Sequence, residues 1–299
     1  MERDGKKILL HAPAKVNLFL HVLGRRPDGY HDLETWMQKL DLYDRIFLET
    51  GEGTGIELAC DDPVLSGEDN LAVKAAEAFF SAIGEAPPKL KISLEKRIPV
   101  AAGLGGGSSD AGTVLRGLNS LFDLPFSEEG LVELASQLGA DVPFFAVGHE
   151  AVIAHGIGDI MHPVDSLVGC TFVLVNPGFF VSTRWVFENL SLTSMEKKYT
   201  LARFHKRKLD SFSLPVMHND LEKVTSCKHP EIEAMKQRLL ELGASRVLMS
   251  GSGPTVFGVF PDGERVSGFD FKNIVSSLCH NFGSKVFIAR ACAGAWPSG

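Results

Sequence analysis

The sequence lacks the features that mark secreted, zinc-binding and membrane-spanning chains. Its five cysteines lie far apart without a Cys-x-x-Cys pair, which argues against structural zinc and for a reducing compartment. No apolar run approaches the ~18 residues of a membrane span, and only a short apolar stretch follows the charged first residues, unlike a secretory signal. We therefore expect a cytoplasmic protein without a membrane partner.

Acidic residues outnumber basic ones, 37 aspartates and glutamates to 30 lysines and arginines. The net charge is −7, and no basic patch is interleaved with aromatic residues, which argues against a nucleic-acid-binding face. An anionic ligand must then be held by local backbone groups and a few lysines. The 299 residues, 44% of them hydrophobic, allow about two domains of ~150 residues, which we place at 1–160 and 161–299.

Strand-like and helix-like segments mix without a strict βαβ alternation. This order predicts an α+β fold rather than a doubly wound parallel sheet. The expected elements are two extended pieces over 8–23 broken at Pro13, strands around a glycine turn over 46–58, helices over 70–80, 127–138, 230–242 and 269–278, strands over 246–249, 255–260 and 285–289, and a polar irregular region over 191–213.

A glycine cluster within 99–111 joins a strand-like segment to a helix-like one. Apolar residues mostly alternate over 90–98 and fall on one helical face over 111–122. The glycines therefore lie at a helix N-terminus, where free N–H groups and the helix dipole stabilise an anion. A flexible turn is the alternative, and Ser108-Ser109-Asp110 as capping residues favour phosphate binding over it.

The better-known glycine motifs are excluded. A Walker A loop needs Gly-Lys-Ser/Thr and a Rossmann fingerprint needs a third glycine, but Ser108 follows Gly107. Protein-kinase His-Arg-Asp and Asp-Phe-Gly motifs are absent. A second glycine turn, Ser250 to Gly253, could line a phosphate, and it lacks the Gly-x-Ser-x-Gly pattern of a nucleophile elbow.

Two segments carry candidate catalytic charges. Lys15 and Asn17 share one face of an extended chain, where the lysine could stabilise developing negative charge, although an ordinary edge strand is locally favoured. Asp141 precedes Val142-Pro143-Phe144, a costly place for a carboxylate unless it is paired or functional. It is a candidate general base, and an aspartate in a loop after a helix is an equal alternative.

A turn at Pro27-Asp28-Gly29 is followed at once by Tyr30 and His31. The two rings could stack on a planar heterocycle and hydrogen-bond to it. The alternative is an ordinary β-turn whose tyrosine covers the core. The ten histidines show no spacing typical of a metal site.

Together and in this order, the segments resemble the GHMP-type small-molecule kinases. The resemblance rests on Pro13 to Leu18, Pro99 to Ser109 and Gly251 to Gly253, and it spans about residues 8–260. Three segments, Arg26 to His31, Gly103 to Asp110 and Gly139 to Phe144, are similar to those of the branch whose substrate is a cytidine diphosphate derivative of methylerythritol, in non-mevalonate isoprenoid synthesis. The chain departs from the family at Gly112, where alanine is more usual.

The resemblance implies a ribosomal S5-like N-terminal domain, a C-terminal α/β domain, and ATP and substrate in the cleft between them. It implies phosphorylation of the substrate's 2-hydroxyl with ATP and Mg²⁺ as cofactors, Asp141 as base and Lys15 as its cationic partner. Metal ligands are not identified, because no obvious acidic metal ligand accompanies Ser109. Implied substrate-binding residues are Asn17, Tyr30, His31 and Phe187, and implied ATP-binding residues are Pro99, Gly103, Leu104, Gly105, Gly106, Gly107, Ser108, Ser109, Asn70, Leu71 and Lys96.

Two alternatives stay open. Another GHMP kinase could act on mevalonate, homoserine or a sugar, but it gives no reason for the Tyr30-His31 turn. S5-like domains also occur in RNA-binding proteins, and the acidic net charge disfavours such a non-enzymatic module.

Overall fold

The computed structural model describes residues 5–67, 69–191, 216–262, 271–282 and 285–293, and it has the predicted α+β class. The predicted irregular region lies almost wholly outside the described residues. No helix within the described ranges is long and apolar enough to cross a membrane.

The first sheet contains seven of the described strands. Its order is β3-β4-β2-β1-β8, with β5 pairing to β2 and β6 to β5. The strands are β1 (Lys7–Arg25), β2 (His31–Thr54), β3 (Ile56–Cys60), β4 (Pro88–Glu95), β5 (Ala151–His155), β6 (Ile160–Pro163) and β8 (His218–Asn219).

Helices cover one face of this sheet. The side chain of Asn70 caps the first helix by accepting from Ala72 N, and Ser127 caps the third by accepting from Gly130 N. Buried Phe79, Phe80 and Leu115 belong to the core between these helices and the sheet. The helices are α1 (Leu71–Ile83), α2 (Gly106–Leu121), α3 (Glu128–Ser136) and the short α4 (Val142–Ala146), with a 3-10 turn at Pro63–Leu65.

The second sheet is antiparallel, in the order β11-β7-β10-β9. One face packs on the first sheet through residues such as Val16, Phe172 and Phe257, and the other packs on α7 and α8 through Met235 and Leu278. The elements are β7 (Cys170–Asn176), α5 (Thr183–Glu188), α6 (Asp220–Lys228), α7 (Glu231–Glu241), β9 (Arg246–Met249), β10 (Val256–Pro261), α8 (Phe271–Phe282) and β11 (Lys285–Arg290).

The chain changes sheet between Pro163 and Cys170, close to the predicted domain boundary. The boundary itself stays a prediction, because β8 returns to pair with β1. A carboxylate strengthens this link: Asp220 Oδ2 lies 2.7 Å from His21 Nδ1 and its Oδ1 lies 2.6 Å from His218 Nε2. Val22 N also donates to Asp220 Oδ2 at 2.7 Å, so both oxygens of the carboxylate have partners.

Three sequence predictions need correction. Residues 8–23 belong to one continuous strand, and Pro13 marks only a shift of its register with β2. The edge-strand interpretation of Lys15 and Asn17 is wrong, because both side chains are buried and both backbone amides have partners outside β2. Lys15 N donates to Leu104 O at 2.9 Å, and Asn17 N donates to Ser250 Oγ at 3.4 Å. The capping residue of α2 is Gly105, so the serines that follow lie inside the first turn.

Gly112 fits a close approach of α2 to α4. A Cβ at this position would lie 2.7 Å from both the carbonyl carbon and the Cβ of Phe145, and 2.8 Å from Ala146 N. Contacts this short with a neighbouring backbone require the helices to move apart. Packing therefore explains why glycine stands at position 112, where the family more usually has alanine.

We predict that Gly112→Ala lowers the free energy of unfolding by about 1–3 kcal/mol, because overpacking outweighs the better helix propensity of alanine. Gly107→Ala is the matched control in the same helix, since its Cβ would meet only Leu71 Cδ1 at 3.7 Å. Denaturant unfolding of both variants makes the comparison. Equal stability of Gly112→Ala and the wild type would contradict the packing argument.

Candidate active site

Lys15 is a buried cation at the centre of the candidate site. Its side chain is 5% exposed, its Nζ donates to Asn17 Oδ1 at 2.6 Å, and it lies 3.3 Å from Asp141 Oδ2. Asp141 stands at the N-terminus of α4 but makes no capping hydrogen bond, and its side chain is 38% exposed. The structure thus brings Lys15 and Asn17, which the sequence placed on one face of an extended chain, together with the distant Asp141.

A chain of two hydrogen bonds fixes the orientation of the Asn17 side chain. Its Nδ2 donates to Thr35 Oγ1 at 2.8 Å, and that hydroxyl donates to Phe19 O at 2.7 Å. Between Asn17 and Phe19, β1 has one residue more than the facing part of β2. This is a β-bulge, a feature common near active sites. The amide oxygen of Asn17 is therefore turned toward Lys15.

The glycine loop approaches this lysine closely. Gly105 has a φ of +72°, and a Cβ there would lie 3.0 Å from Lys15 Cγ and 2.9 Å from Phe145 Cζ. Ser109 N donates to Gly105 O at 2.8 Å. The amides of 106–108 precede that first helical bond, so they are placed as an anion site at a helix N-terminus requires.

The second glycine turn packs directly on the first. Ser250 Oγ donates to Gly103 O at 2.8 Å, and a Cβ on Gly103 would lie 2.1 Å from Ser250 O. A Cβ on Gly251 would lie 3.6 Å from Lys15 Nζ and 3.4 Å from Asn17 Oδ1. Both glycine turns therefore lie close to Lys15, and only glycine, which has no side chain, permits so close an approach.

A cavity of about 290 Å³ opens beside the glycine loop, lined by residues 61–63 and 96–100 and by Lys285. Pro99 and Lys96 are part of its wall. Leu71 is next to the loop, since its Cδ1 would lie 3.7 Å from a Cβ on Gly107. Asn70 uses both polar atoms of its side chain locally, on Ala72 N and Leu65 O, while Leu104 is buried.

Lys96 does not extend freely into this cavity. Its Nζ donates to Asp110 Oδ2 at 2.6 Å and to Asp44 Oδ2, and its side chain is 8% exposed. Burial alone would lower the pKa of Lys96, but Asp110 and Asp44 outweigh it and raise that pKa above its usual value. Burial raises the pKa of Asp110. The lysine thus carries its charge within a carboxylate pair.

Two oxygens in the first turns of α2 are buried without a partner in the described part of the chain. They are Ser109 Oγ and Asp110 Oδ1. Buried polar atoms are normally satisfied, and an orphaned oxygen at a functional site calls for an explanation. A hydroxyl oxygen can be a ligand of Mg²⁺, so Ser109 fits a site for this ion.

Two of the predicted cytidine-binding residues, His31 and Phe187, stack on each other. The rings of His31 and Phe187 stack with centroids 5.0 Å apart and an interplanar angle of 24°, while Tyr30 is 60% exposed. The interpretation that Tyr30 covers the core is therefore wrong. Burial, together with the nearby charge of Arg25, lowers the pKa of His31.

Sequence reasoning missed several residues that hold this site together. Thr183 Oγ1 lies 2.7 Å from Ser252 Oγ, which joins the helix of Phe187 to the second glycine turn. Asn219 Nδ2 donates to Gly251 O at 2.7 Å. The only sequence signal among these was Ser252, which lies in the second glycine turn.

Comparison with known proteins agrees with this architecture. The family model described as GHMP kinases N terminal domain matches residues 70–149, and the one described as GHMP kinases C terminal matches residues 204–268. A 4-diphosphocytidyl-2-C-methyl-D-erythritol kinase of Desulfotalea psychrophila is 50% identical over 287 residues, which cover 95% of this chain and 95% of that protein. The one of Syntrophotalea carbinolica is 52% identical over 254 residues, covering 85% of this chain and 89% of that protein.

A solved structure is similar over nearly the whole chain. The crystal structure of a 4-(cytidine 5'-diphospho)-2C-methyl-D-erythritol kinase has 33% sequence identity and a TM-score of 0.78, and the match covers 96% of this chain and 100% of that one. The fold and the site thus define a small-molecule kinase of the GHMP type. Within that type, the chain belongs to the family of the 4-diphosphocytidyl-2-C-methyl-D-erythritol kinases.

Proposed function

We propose that this chain transfers the γ-phosphoryl group of ATP to the 2-hydroxyl of 4-diphosphocytidyl-2-C-methyl-D-erythritol, a step of non-mevalonate isoprenoid synthesis in the cytoplasm. The observation that carries the proposal is the buried Lys15, set between Asn17 and Asp141 beside both glycine turns. The names and high identity of the relatives support the choice of substrate.

Asp141 acts as the general base. Its carboxylate faces Lys15 and is open enough to reach a bound hydroxyl group. As the oxygen–phosphorus bond forms, the hydroxyl proton passes to Asp141 and the bond from the γ-phosphorus to the leaving oxygen of ADP breaks. Phosphoryl transfer depends mainly on positioning and on neutralising charge, so a weak but well-placed base is sufficient.

Lys15 neutralises charge at the transferring group. The negative charge spreads over the equatorial oxygens in the transition state, and a preorganised cation in a site with little water stabilises it strongly. Asn17 keeps the ammonium in place and adds a polar group toward the substrate. Both residues are held by β1 and β2, so little reorganisation is needed.

ATP is held by the glycine loop. The amides at the start of α2, the serines of its first turns, and the wall formed by Pro99 and Lys96 bind the nucleotide, with Asn70 and Leu71 on the adenine side. Magnesium, when bound, neutralises charge on the phosphates, and Ser109 is the residue that would hold it.

The cytidine group binds at Tyr30, His31 and Phe187. Aromatic rings offer stacking surfaces for the pyrimidine. The lowered pKa of His31 favours a neutral imidazole, which presents one donor and one acceptor nitrogen. Cytosine likewise presents an amino donor beside acceptor atoms, so the two edges are complementary.

A substrate panel tests the proposal. Purified protein with Mg-ATP is offered the cytidyl methylerythritol substrate, mevalonate, homoserine and galactose, and ADP release is followed. We expect turnover with the first compound alone. Activity confined to another alcohol would overturn the named substrate and leave the kinase class, while RNA binding without any turnover would support the S5-like module instead.

We predict that Asp141→Ala lowers kcat by roughly 10²–10⁴-fold with a modest change in the KM for ATP, because the variant loses the base and keeps the nucleotide site. Steady-state kinetics measure both constants. Asp165→Ala, at an exposed aspartate outside the site, is the control. Near wild-type turnover in Asp141→Ala would reject the base.

We predict that Lys15→Ala loses about 2.7–4 kcal/mol of transition-state stabilisation, as removal of a preorganised donor does elsewhere. The value follows from the ratio of kcat/KM between wild type and variant. Lys7→Ala changes an exposed lysine of the same strand and should leave the ratio near one. Retained kcat with only a higher substrate KM would show that Lys15 merely positions the substrate.

We predict that Phe187→Ala raises the KM for the cytidine substrate by about 5- to 100-fold, the loss expected for one base stacked on an aromatic ring. The KM for ATP should stay unchanged. Phe187→Tyr keeps the ring and should restore most of the affinity. A KM unchanged in Phe187→Ala would remove this residue from the cytidine site.

A further inference from the structure

Asp44 is a fully buried carboxylate for which the proposed mechanism has no role. It lies on β2, next to the strand that carries Lys15, and its relative exposure is 0%. A carboxylate is rarely buried unless it is paired and hydrogen-bonded. The partners of Asp44 therefore indicate what it does.

Those partners belong to three consecutive residues. Asp44 Oδ1 accepts from Arg97 N at 2.5 Å and from Ile98 N at 2.8 Å, while its Oδ2 accepts from Lys96 Nζ. One side chain thus fixes both the path of the backbone at 97–98 and the position of the neighbouring ammonium. Charged acceptors make the stronger hydrogen bonds in proteins, so this segment is firmly held.

The segment that Asp44 holds is a wall of the cavity at the glycine loop. Residues 96–98 line that cavity and lead directly into Pro99. A Cβ on Gly106 would lie 3.5 Å from Lys96 Nζ and 3.1 Å from Ile98 Cγ2, so the wall touches the start of α2. A shift of this segment would change the shape of the cavity and the charge beside the loop.

Other groups hold the backbone and the ammonium of Lys96. Asp61 Oδ1 accepts from Lys96 N at 2.9 Å, and Asp110 on α2 accepts from Lys96 Nζ at 2.6 Å. Asp44 differs from both, because it alone of the three engages the ammonium and the following amides together. It therefore couples the lysine to the entry of the glycine loop.

We propose that Asp44 is a positioning residue for the nucleotide: it holds Lys96 and the backbone at 97–98 in the geometry that binds ATP. The inference rests on the proposed function, since ATP is the ligand assigned to this loop. The hydrogen bonds that Asp44 accepts come from Lys96, Arg97 and Ile98 and not from residues assigned to the acceptor alcohol, so we expect its effect to be confined to nucleotide binding.

Asp44→Asn keeps the contact of this side chain with the backbone amides and removes its contact with the Lys96 ammonium. The amide oxygen can still accept from Arg97 N and Ile98 N, but the amide nitrogen cannot accept from Lys96. We expect the Kd and the KM for ATP to rise about 10- to 100-fold, the loss expected for a hydrogen bond to a charged group. We expect kcat and the KM for the cytidine substrate to stay within about threefold of wild type.

The measurements are isothermal titration calorimetry with ATP in the absence of acceptor, and steady-state kinetics with both substrates. Asp41→Asn is the matched control on the same strand, because Asp41 accepts from the distant Arg290 N at 2.6 Å. It should leave ATP binding unchanged. Unaltered ATP binding in folded Asp44→Asn would overturn the inference, as would an equal loss in kcat.

A double-mutant cycle distinguishes positioning from a general loss of structure. If Asp44 acts through Lys96, then Asp44→Asn combined with Lys96→Met should bind ATP as Lys96→Met alone does. Additive losses would contradict the inference. If Asp44→Asn alone fails to fold, the double variant still tests the inference, because it no longer places the Lys96 ammonium against the amide of the introduced asparagine.

Failure of the proposed function gives a different result. A wild-type protein that does not bind ATP would overturn both proposals. A wild type that binds ATP and phosphorylates the cytidine substrate, with Asp44→Asn indistinguishable from it, would overturn only the role of Asp44.

Discussion

The burial of one ammonium group constrains the rest of this structure. Lys15 Nζ has little contact with water, so the protein must supply oxygen atoms around it, and it does so with Asn17 and Asp141. These residues come from β1 and from the start of α4, which have to meet at that point. Glycine makes the close packing around this point possible: a Cβ on Gly105 would collide with Lys15 and Phe145, and a Cβ on Gly103 would collide with the second glycine turn. The fold, the geometry of the glycine loop and the placement of the charges thus all follow from one requirement, the burial of the Lys15 ammonium among oxygen atoms.

The site repeats the same principle at the cavity beside the glycine loop. Lys96 is also buried, and Asp44 and Asp110 supply its acceptors. Two buried cations, each held by carboxylates or an amide, flank the start of α2, where the helix N-terminus already attracts an anion. The chain is acidic overall, so this local arrangement, and not net charge, makes the site suitable for phosphate.

Much of the architecture was predictable because local signals were strong. The helix predicted over 70–80 was recognised from its apolar pattern, the strand over 246–249 was also predicted, and the glycine loop was placed correctly at a helix N-terminus. The long β2 was recognised only in its second half, because both faces are buried where it pairs with β1 and β5, which removes the alternation that marks a strand. The edge-strand interpretation of Lys15 failed for another reason: the group that pairs with its backbone amide, Leu104 O, comes from a distant segment that no local pattern reveals.

The sequence by itself determined the kinds of chemistry available: glycines before a helix, a lysine and an asparagine two residues apart, an aspartate beside a proline, and an aromatic turn. It also identified the family, through the order of these segments. Only the tertiary structure decided which charges meet, that Lys96 is paired with Asp44 and Asp110, and that His31 stacks on Phe187. Such pairings join residues far apart in the chain, and no local preference encodes them, because they depend on the register of β1 with β2 and on how closely glycine lets two turns approach.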